Sequence, residues 1–279
     1  MNPFSVAILL TVFNRKDKTL ACLESIFRQI DSLRSDGRYG FTVFMVDDGC
    51  TDGTSEAVRE AFPQVNIIKS GGNLYWNQGM RLAWKEAGEQ DFYLWINDDT
   101  LLLDGAVATL LETSEFLRHK AIVAGTTRSE NGSLTYGGRT RSNKLITPDS
   151  AIPTVCHMFN GNLVLVPKAV YDVVGNLSPA YHHTFGDYDY GLRARKAGIS
   201  SVIAPGVLAV CERDHALAPW RDSRYSLGKR YFYLSSPKGR PLKEQFLFDT
   251  RLRGFFYAIG HCISVNFKVL FPKKSSSNA

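Results

Sequence analysis

The chain predicts an α/β fold with a mainly parallel central sheet, on three observations. Short β-prone apolar runs alternate with segments of helical apolar spacing through the first half. Those runs are continuous rather than alternating, as strands covered on both faces are. Two of them end in adjacent acids, at the sheet edge where ligands of such folds bind.

The elements follow in order. Val6–Val12 is the first strand, and beyond the turn residues Asn14 and Arg15 the positions Leu20, Leu23, Ile26, Phe27, Ile30 and Leu33 recur at helical spacing. Phe41–Val46 is a second strand, Thr54–Ala61 a short helix, Val65–Lys69 a third strand and Gln78–Gly88 a helix. Phe92–Ile96 is a fourth strand and Gly105–His119 a helix with Val107, Leu110, Leu111 and Leu117 on one side. In the second half Ile122–Thr126 and Ser133–Tyr136 read as short strands, Met158–Val166 as a longer one, and Lys168–Val174 and Asp187–Ala197 as helices.

Composition fits this reading. The 279 residues, 44% hydrophobic and 22% charged, suffice for a sizeable core and exclude disordered, collagen-like and coiled-coil chains. Five widely spaced cysteines without a CxxC pair argue against a disulfide framework or structural zinc and fit a reducing cytosol. The net charge of +6 arises in the tail from Trp220, which holds Arg251, Arg253, Lys268, Lys273 and Lys274. There Phe246, Phe248, Phe255, Phe256, Tyr257, Ile259, Phe267, Leu270 and Phe271 interleave with basic residues. That mixture suits either a helix lying on an anionic membrane surface or one packed back on the domain. Its polar interruptions argue against a spanning helix, and no aromatic RNA-binding motif or basic recognition helix supports a nucleic-acid partner.

Five segments could carry chemistry. Asp47-Asp48-Gly49 and Asn97-Asp98-Asp99 place paired carboxylates at strand tips. One acid suffices to cap a helix, and a second at such close range needs donors or a cation. The donors could be a base or ribose at Asp47, and hard oxygens at Asp98-Asp99 suit Mg2+ or Mn2+ bound largely through a substrate diphosphate. Ser70–Gly79, rich in Gly and Asn and holding Asn73 and Asn77, is either a plain loop or one that approaches phosphates; it matches neither dinucleotide-binding nor P-loop patterns. Asp187 and Asp189 begin a helix that ends in Arg193, Arg195 and Lys196. The helix dipole explains that order, and a general base at the helix start is the functional reading. Cys211-Glu212-Arg213-Asp214-His215 clusters potential ligands after an apolar stretch, though Cys211 also reads as a small buried hydrophobe.

Taken in order, Leu9–Arg15, Val46–Gly49, Trp95–Asp99 and Phe185–Arg193 resemble family 2 glycosyltransferases over roughly residues 4 to 215. The resemblance implies a GT-A fold: residues 1–215 as one domain, with 1–118 binding a nucleotide-diphosphate sugar (UDP- or dTDP-linked) and 119–215 an acceptor, and residues 216–279 as a helical extension. It implies transfer with inversion, with Thr11, Phe13 and Arg15 lining the nucleotide pocket, Asp47 accepting from the base, Asp99 holding Mg2+ or Mn2+ with Asp98 beside it, and Asp187, with Asp189 as the alternative, as the base. It leans toward rhamnosyl, galactosyl or galactofuranosyl transfer to a glycan or lipid-linked acceptor of a surface polysaccharide such as lipopolysaccharide or capsule, in the cytoplasm or at the inner membrane face. Two departures stand out. Asn97 replaces the first acid of the family's DxD, and Cys211 falls near the place of a metal-binding His, with His215 four residues on. Two rival readings are a sugar nucleotidyltransferase, whose Gly-rich loop Thr11–Arg15 does not supply, and a non-catalytic sugar- or nucleotide-binding protein on the same scaffold.

Overall fold

The computed structural model describes residues 3–213 and 217–272. In chain order its elements are β1 (Phe4–Val12), α1 (Lys16–Arg34), β2 (Tyr39–Asp47), α2 (Thr54–Ala61), β3 (Asn66–Lys69), α3 (Tyr75–Ala87), β4 (Phe92–Ile96), β5 (Leu101–Leu102) and α4 (Ala106–Phe116). There follow β6 (Ile122–Arg128), β7 (Gly138–Arg139), β8 (Thr154–Cys156), β9 (Met158–Phe159), β10 (Leu163–Pro167), α5 (Lys168–Val174), α6 (Gly186–Lys196), β11 (Ser201–Val210), α7 (Leu227–Ser235), α8 (Leu242–Arg253) and α9 (Phe255–Leu270).

The main sheet runs β3-β2-β1-β4-β10-β6-β11-β5. Strands β3, β2, β1 and β4 are mutually parallel, so the tips of β1, β2 and β4 lie side by side. Strand β10 enters antiparallel between β4 and β6, and β6 pairs parallel with β11. Side chains of β1 alternate between two apolar layers: Val6, Ile8, Leu10 and Val12 meet Cys22, Leu23 and Ile26 of α1, while Ala7 and Leu9 meet the α3 side. In that second layer the ring of Trp84 lies 5.1 Å from Tyr93, 5.2 Å from Trp95 and 5.6 Å from Tyr190, which locks α3, β4 and α6 together.

Two expected strands take another form. Ser133–Tyr136 is a turn-rich segment with an isolated bridge from Leu134 to Arg128, because its polar residues bond to the end of β6 rather than continuing a ladder. The expected run Met158–Val166 is two strands in two sheets: β9 pairs with β7, β10 pairs with β4, and Asn160-Gly161-Asn162 turns between them. The very short β5, β7 and β8 lack the length that periodicity needs.

Part of the tail packs on the domain, as one of the two readings expects. Helix α8 packs back on the domain: Phe248 stacks on Phe185 at 5.1 Å, and Arg251 reaches Asp189. Helix α9 buries Ala258, Val265 and Val269 and leaves Phe256, Ile259, Ile263, Phe267 and Leu270 exposed along the other side. At 16 residues it is about 24 Å long. Among the described residues no helix is long and apolar enough to cross a membrane.

Candidate active site

The tips of β1, β2 and β4 lie side by side, and the 160–162 turn joins the start of α6 to the end of β4. At the tip of β1, Phe13 is half exposed and Arg15 reaches across to β4, donating from Nη1 to Asp98 Oδ1 at 3.1 Å and to Asp99 Oδ2 at 2.8 Å. Thr11 packs against Gly79, where any side chain would collide with its hydroxyl. Burial pushes the Asp98 carboxyl up to about 6, the Asp99 charge adds to this, and Arg15 opposes it. Asp99 is the more accessible of the two acids, and its Oδ1 lies 3.6 Å from the Cys211 thiol at the end of β11. Burial raises that thiol to about 12, with the Asp99 charge contributing. It stays protonated and is a poor ligand for a hard cation.

The acids at the tip of β2 find their donors within the chain itself. Asp47 is fully buried; its Oδ1 accepts the Cys50 N–H at 2.6 Å and its Oδ2 accepts from Lys69 Nζ at 2.6 Å and from the Ser55 hydroxyl. Burial works against ionisation, yet these bonds hold the carboxyl down at about 2. Asp48 accepts the N–H groups of Leu74 at 2.9 Å and Tyr75 at 2.8 Å and the Ser70 hydroxyl at 2.9 Å, fixing the loop that leads into α3. Asp47 is thus held by an internal network. Asp52 accepts the N–H of Thr54 at the start of α2 and that of Lys16 at the start of α1, both at 3.0 Å.

In the loop after β3, Asn73 is exposed at a positive φ of 67°. Asn77 is fully buried and donates to the carbonyls of Ser178 and Tyr181, so it braces the loop before α6. Trp76, given no role by the sequence, donates from Nε1 to Asn97 Oδ1 at 2.8 Å. This accounts for an amide where an acid was anticipated: Asn97 serves as an acceptor that positions an indole.

Asp187 sits in the first turn of α6 and is partly buried. Its Oδ2 accepts the Gly161 N–H at 2.9 Å and its Oδ1 the Tyr188 N–H at 2.8 Å. Burial nonetheless raises its carboxyl to about 6, the range suited to a base working near neutrality. The next residue in the turn, Asn162, accepts the Asn97 N–H at 3.1 Å and donates to Cys211 Sγ at 3.5 Å. A continuous path therefore joins Asp99, Cys211, Asn162, Gly161 and Asp187. Asp189 lies elsewhere: fully buried, it pairs with Arg193 at 3.0 Å and Arg251 at 2.6 Å and accepts from the Tyr181 hydroxyl at 3.1 Å. Its oxygens are taken up by these partners, whereas both oxygens of Asp187 meet only backbone N–H groups.

The turn at 160–162 and His183 also went unassigned from sequence. Burial pushes His183 down to about 4, with Lys238 and Arg15 adding to the effect, and its ring meets Tyr75 at 6.3 Å. The signal for the turn is Asn-Gly-Asn inside an apolar run, a pattern that breaks strands. His215, a candidate metal ligand, lies outside the described residues.

The donor chemistry suits a diphosphate-assisted cation rather than a closed cage. Asp98 and Asp99 offer hard oxygens already bridged by a guanidinium, and among the described residues no three His, Cys, Asp or Glu side chains converge. Such a pair matches the one or two carboxylates that hold Mg2+ beside substrate phosphates.

A half-parallel sheet whose tips carry Arg15 and Asp98-Asp99, tied through the 160–162 turn to the start of α6, has the architecture of the GT-A fold. Residues 7–174 match Glycosyl transferase family 2, and the chain belongs to that family. It is 22% identical over 208 residues to the N-acetylglucosaminyl-diphospho-decaprenol L-rhamnosyltransferase of Mycobacterium tuberculosis, covering 63% of this chain and 67% of that protein. Among solved structures it shares its fold with S. aureus TarS 1–349 in complex with UDP-GlcNAc (TM-score 0.57, 12% identity, 94% of this chain and 81% of that one). It does so too with the mannosyltransferase PcManGT from Pyrobaculum calidifontis in complex with GDP-Man and Mn2+ (TM-score 0.56, 17% identity, 98% and 76%). Against a longer TarS chain the match spans 43% of that chain.

Proposed function

We propose that this enzyme transfers a sugar, with inversion, from a nucleotide-diphosphate donor to a hydroxyl of a glycan or lipid-linked acceptor in cell-surface polysaccharide synthesis, of the lipopolysaccharide or capsule kind. The observation that carries this reading is the junction at Asn160–Asn162, which holds Asp187 through Gly161 and meets the strand of Asp98-Asp99 through Asn162. A leaving diphosphate and an attacking hydroxyl then have opposed partners a few residues apart.

In this reading Phe13 offers an exposed ring to the base, Thr11 and Asn73 border the donor, and Arg15 swings between the acids and the diphosphate. Asp47 and Asp48 act from behind by fixing the loops. Asp99, helped by Asp98, holds Mg2+ or Mn2+, which supplies Lewis-acid neutralisation of the leaving group when bound. On the face of the sugar opposite the leaving diphosphate, Asp187 takes the proton of the acceptor hydroxyl as its oxygen bonds to the anomeric carbon, where oxocarbenium character develops while the bond to the diphosphate breaks. The relatives' names supply the donor and acceptor classes: a uridine or guanosine diphosphate sugar and a prenyl-diphosphate-linked sugar. A UDP- or dTDP-linked donor is the favoured pairing here. The apolar side of α9, a helix that also carries the exposed Lys268, suits peripheral docking on the inner face of an anionic membrane.

The test is incubation of the protein with UDP-, dTDP- and GDP-sugars, Mg2+ or Mn2+ and a prenyl-diphosphate-linked sugar, with free nucleotide and glycosylated lipid as readouts. Nucleotide release that depends on acceptor and divalent ion is expected. A protein that binds donor yet never turns it over with any acceptor would overturn the reading.

A further inference from the structure

Among β9, α6 and α8 lies a cavity of about 680 Å3 that the reaction so far leaves unused, lined by Arg141, His157, Met158, Arg195, Leu252 and Arg253. A smaller one of about 150 Å3 adjoins it and includes Tyr188, the residue after Asp187, together with Arg240 and Tyr257. Among the described residues Arg141, Arg195 and Arg253 have no carboxylate at ion-pair distance, whereas their neighbours Arg193 and Arg251 are both satisfied by Asp189. The one acid lining the smaller cavity, Asp249, is held by His261 at 2.8 Å and Gln245 at 2.7 Å. Three guanidinium groups gathered without a counter-charge repel one another, and an anion relieves that repulsion. Burial and the charges of Arg195, Arg141 and Arg253 together depress His157, so the surroundings of the ring are strongly positive.

The position narrows the ligand. Tyr188 and Arg195 are seven residues apart on one face of α6, and the helix rises about 12 Å from Asp187 to Arg195, the reach of a short saccharide. On the other side Arg253 lies over the Tyr257 ring at 4.8 Å, and from there the exposed row Phe256, Ile259, Ile263, Phe267 and Leu270 runs along α9. A cationic cavity thus stands between the base and an unpartnered apolar helix side. We propose that it is the acceptor's phosphate subsite, in which Arg141, Arg195 and Arg253 grip the diphosphate of a prenyl-diphosphate-linked sugar, with the sugar toward Asp187 and the prenyl chain along α9.

This inference rests on the glycosyltransferase reading with Asp187 facing the acceptor, but its test needs neither donor nor turnover. Binding of farnesyl diphosphate, farnesol and inorganic pyrophosphate to the whole chain is measured by calorimetry without nucleotide. The wild type is compared with Arg141→Ala/Arg253→Ala, the charge-keeping Arg141→Lys/Arg253→Lys, and Arg15→Ala. Farnesyl diphosphate should bind more tightly than pyrophosphate or farnesol and weaken by about tenfold or more in the double alanine variant, as expected for losing charge-assisted bonds. The lysine variant should keep most of the affinity, and Arg15→Ala should leave it unchanged. Equal affinity for pyrophosphate overturns the lipid-linked source. Unchanged binding in the double alanine variant with an intact melting transition, or loss in Arg15→Ala alone, overturns the subsite. Absence of turnover with every donor would instead strike the glycosyltransferase reading and leave these binding results standing.

Discussion

The Gly161 N–H donates to Asp187 Oδ2 at 2.9 Å, and this bond joins the start of α6 to the turn that touches the Asp98-Asp99 strand. It fixes one carboxylate oxygen while burial keeps the pKa raised, so the proposed base is oriented without being held ionised. Asp187→Asn should lower kcat by about 10²- to 10⁴-fold. In the wild type kcat/KM should fall as pH drops through about 6, because the protonated acid cannot accept the hydroxyl proton. Holding this group charged in the fold costs on the order of 3 kcal/mol, so stability from this group is greatest at low pH and is lost as pH rises through about 6. The Asn variant should therefore keep or raise its melting temperature at neutral pH. A marked drop in melting temperature, with activity retained, would place Asp187 in a structural role.

Gly161 has no room for a side chain. A Cβ there would lie 2.5 Å from Trp76 Cζ2 and 2.6 Å from Cη2, and the indole is held by Asn97. Gly161→Ala should displace Trp76 or the turn, with a loss of about 1–3 kcal/mol in stability and a fall in kcat larger than the change in donor KM. Urea unfolding with steady-state kinetics checks both. Wild-type turnover would mean that the turn does not govern the placement of Asp187.

The parts legible in the sequence are those where local pattern and global fold agree. The strands β1, β2 and β4 and the helices α1 and α2 carry unbroken apolar runs or clear 3.6-residue spacing, and their acids fall at the tips as the topology requires. The harder residues depend on partners far along the chain. Asp47 looked available to a ligand because Lys69 and Ser55, which occupy it, belong to a later strand and helix. The resemblance puts Asp187 ahead of Asp189, but the partners that set the two apart, Arg251 of α8, Tyr181 and Gly161, lie elsewhere along the chain. Asn160–Asn162 was hidden within an apolar run whose two ends join different sheets.

Lys69 neutralises a carboxylate that is almost wholly buried, although its own side chain is half exposed. Lys69→Ala should destabilise the protein by about 2 kcal/mol at neutral pH, below the usual figure for breaking a buried pair because solvent screens the lysine and two other donors remain. The Asp47 carboxyl is depressed to about 2, so its stabilisation is present above the ordinary carboxyl pKa and is lost as pH falls toward 2. The gap between variant and wild type should therefore close on acidification, as thermal melts at neutral and acid pH will report. A gap that stays constant would assign the effect to packing rather than charge.

The two acids of α6 should respond in opposite ways. Asp189 is the shared counter-charge of Arg193 and Arg251 and the acceptor of the Tyr181 hydroxyl, all within the seam between α6 and α8. Its removal strands two guanidinium groups beside buried apolar surface, so Asp189→Ala should cost about 3–5 kcal/mol. Arg251→Ala leaves the carboxylate with Arg193 and Tyr181 and should cost less, about 1–2 kcal/mol, while loosening α8. Hydrogen exchange at α8 should accelerate in both variants, and the fraction of each that remains folded should keep a kcat within a few-fold of wild type. If Asp189→Ala instead folds normally and loses turnover by the margin expected of Asp187→Asn, the base has been assigned to the wrong turn position, because a buried ion pair cannot be deleted without a stability loss and a true base cannot be deleted without a kinetic one.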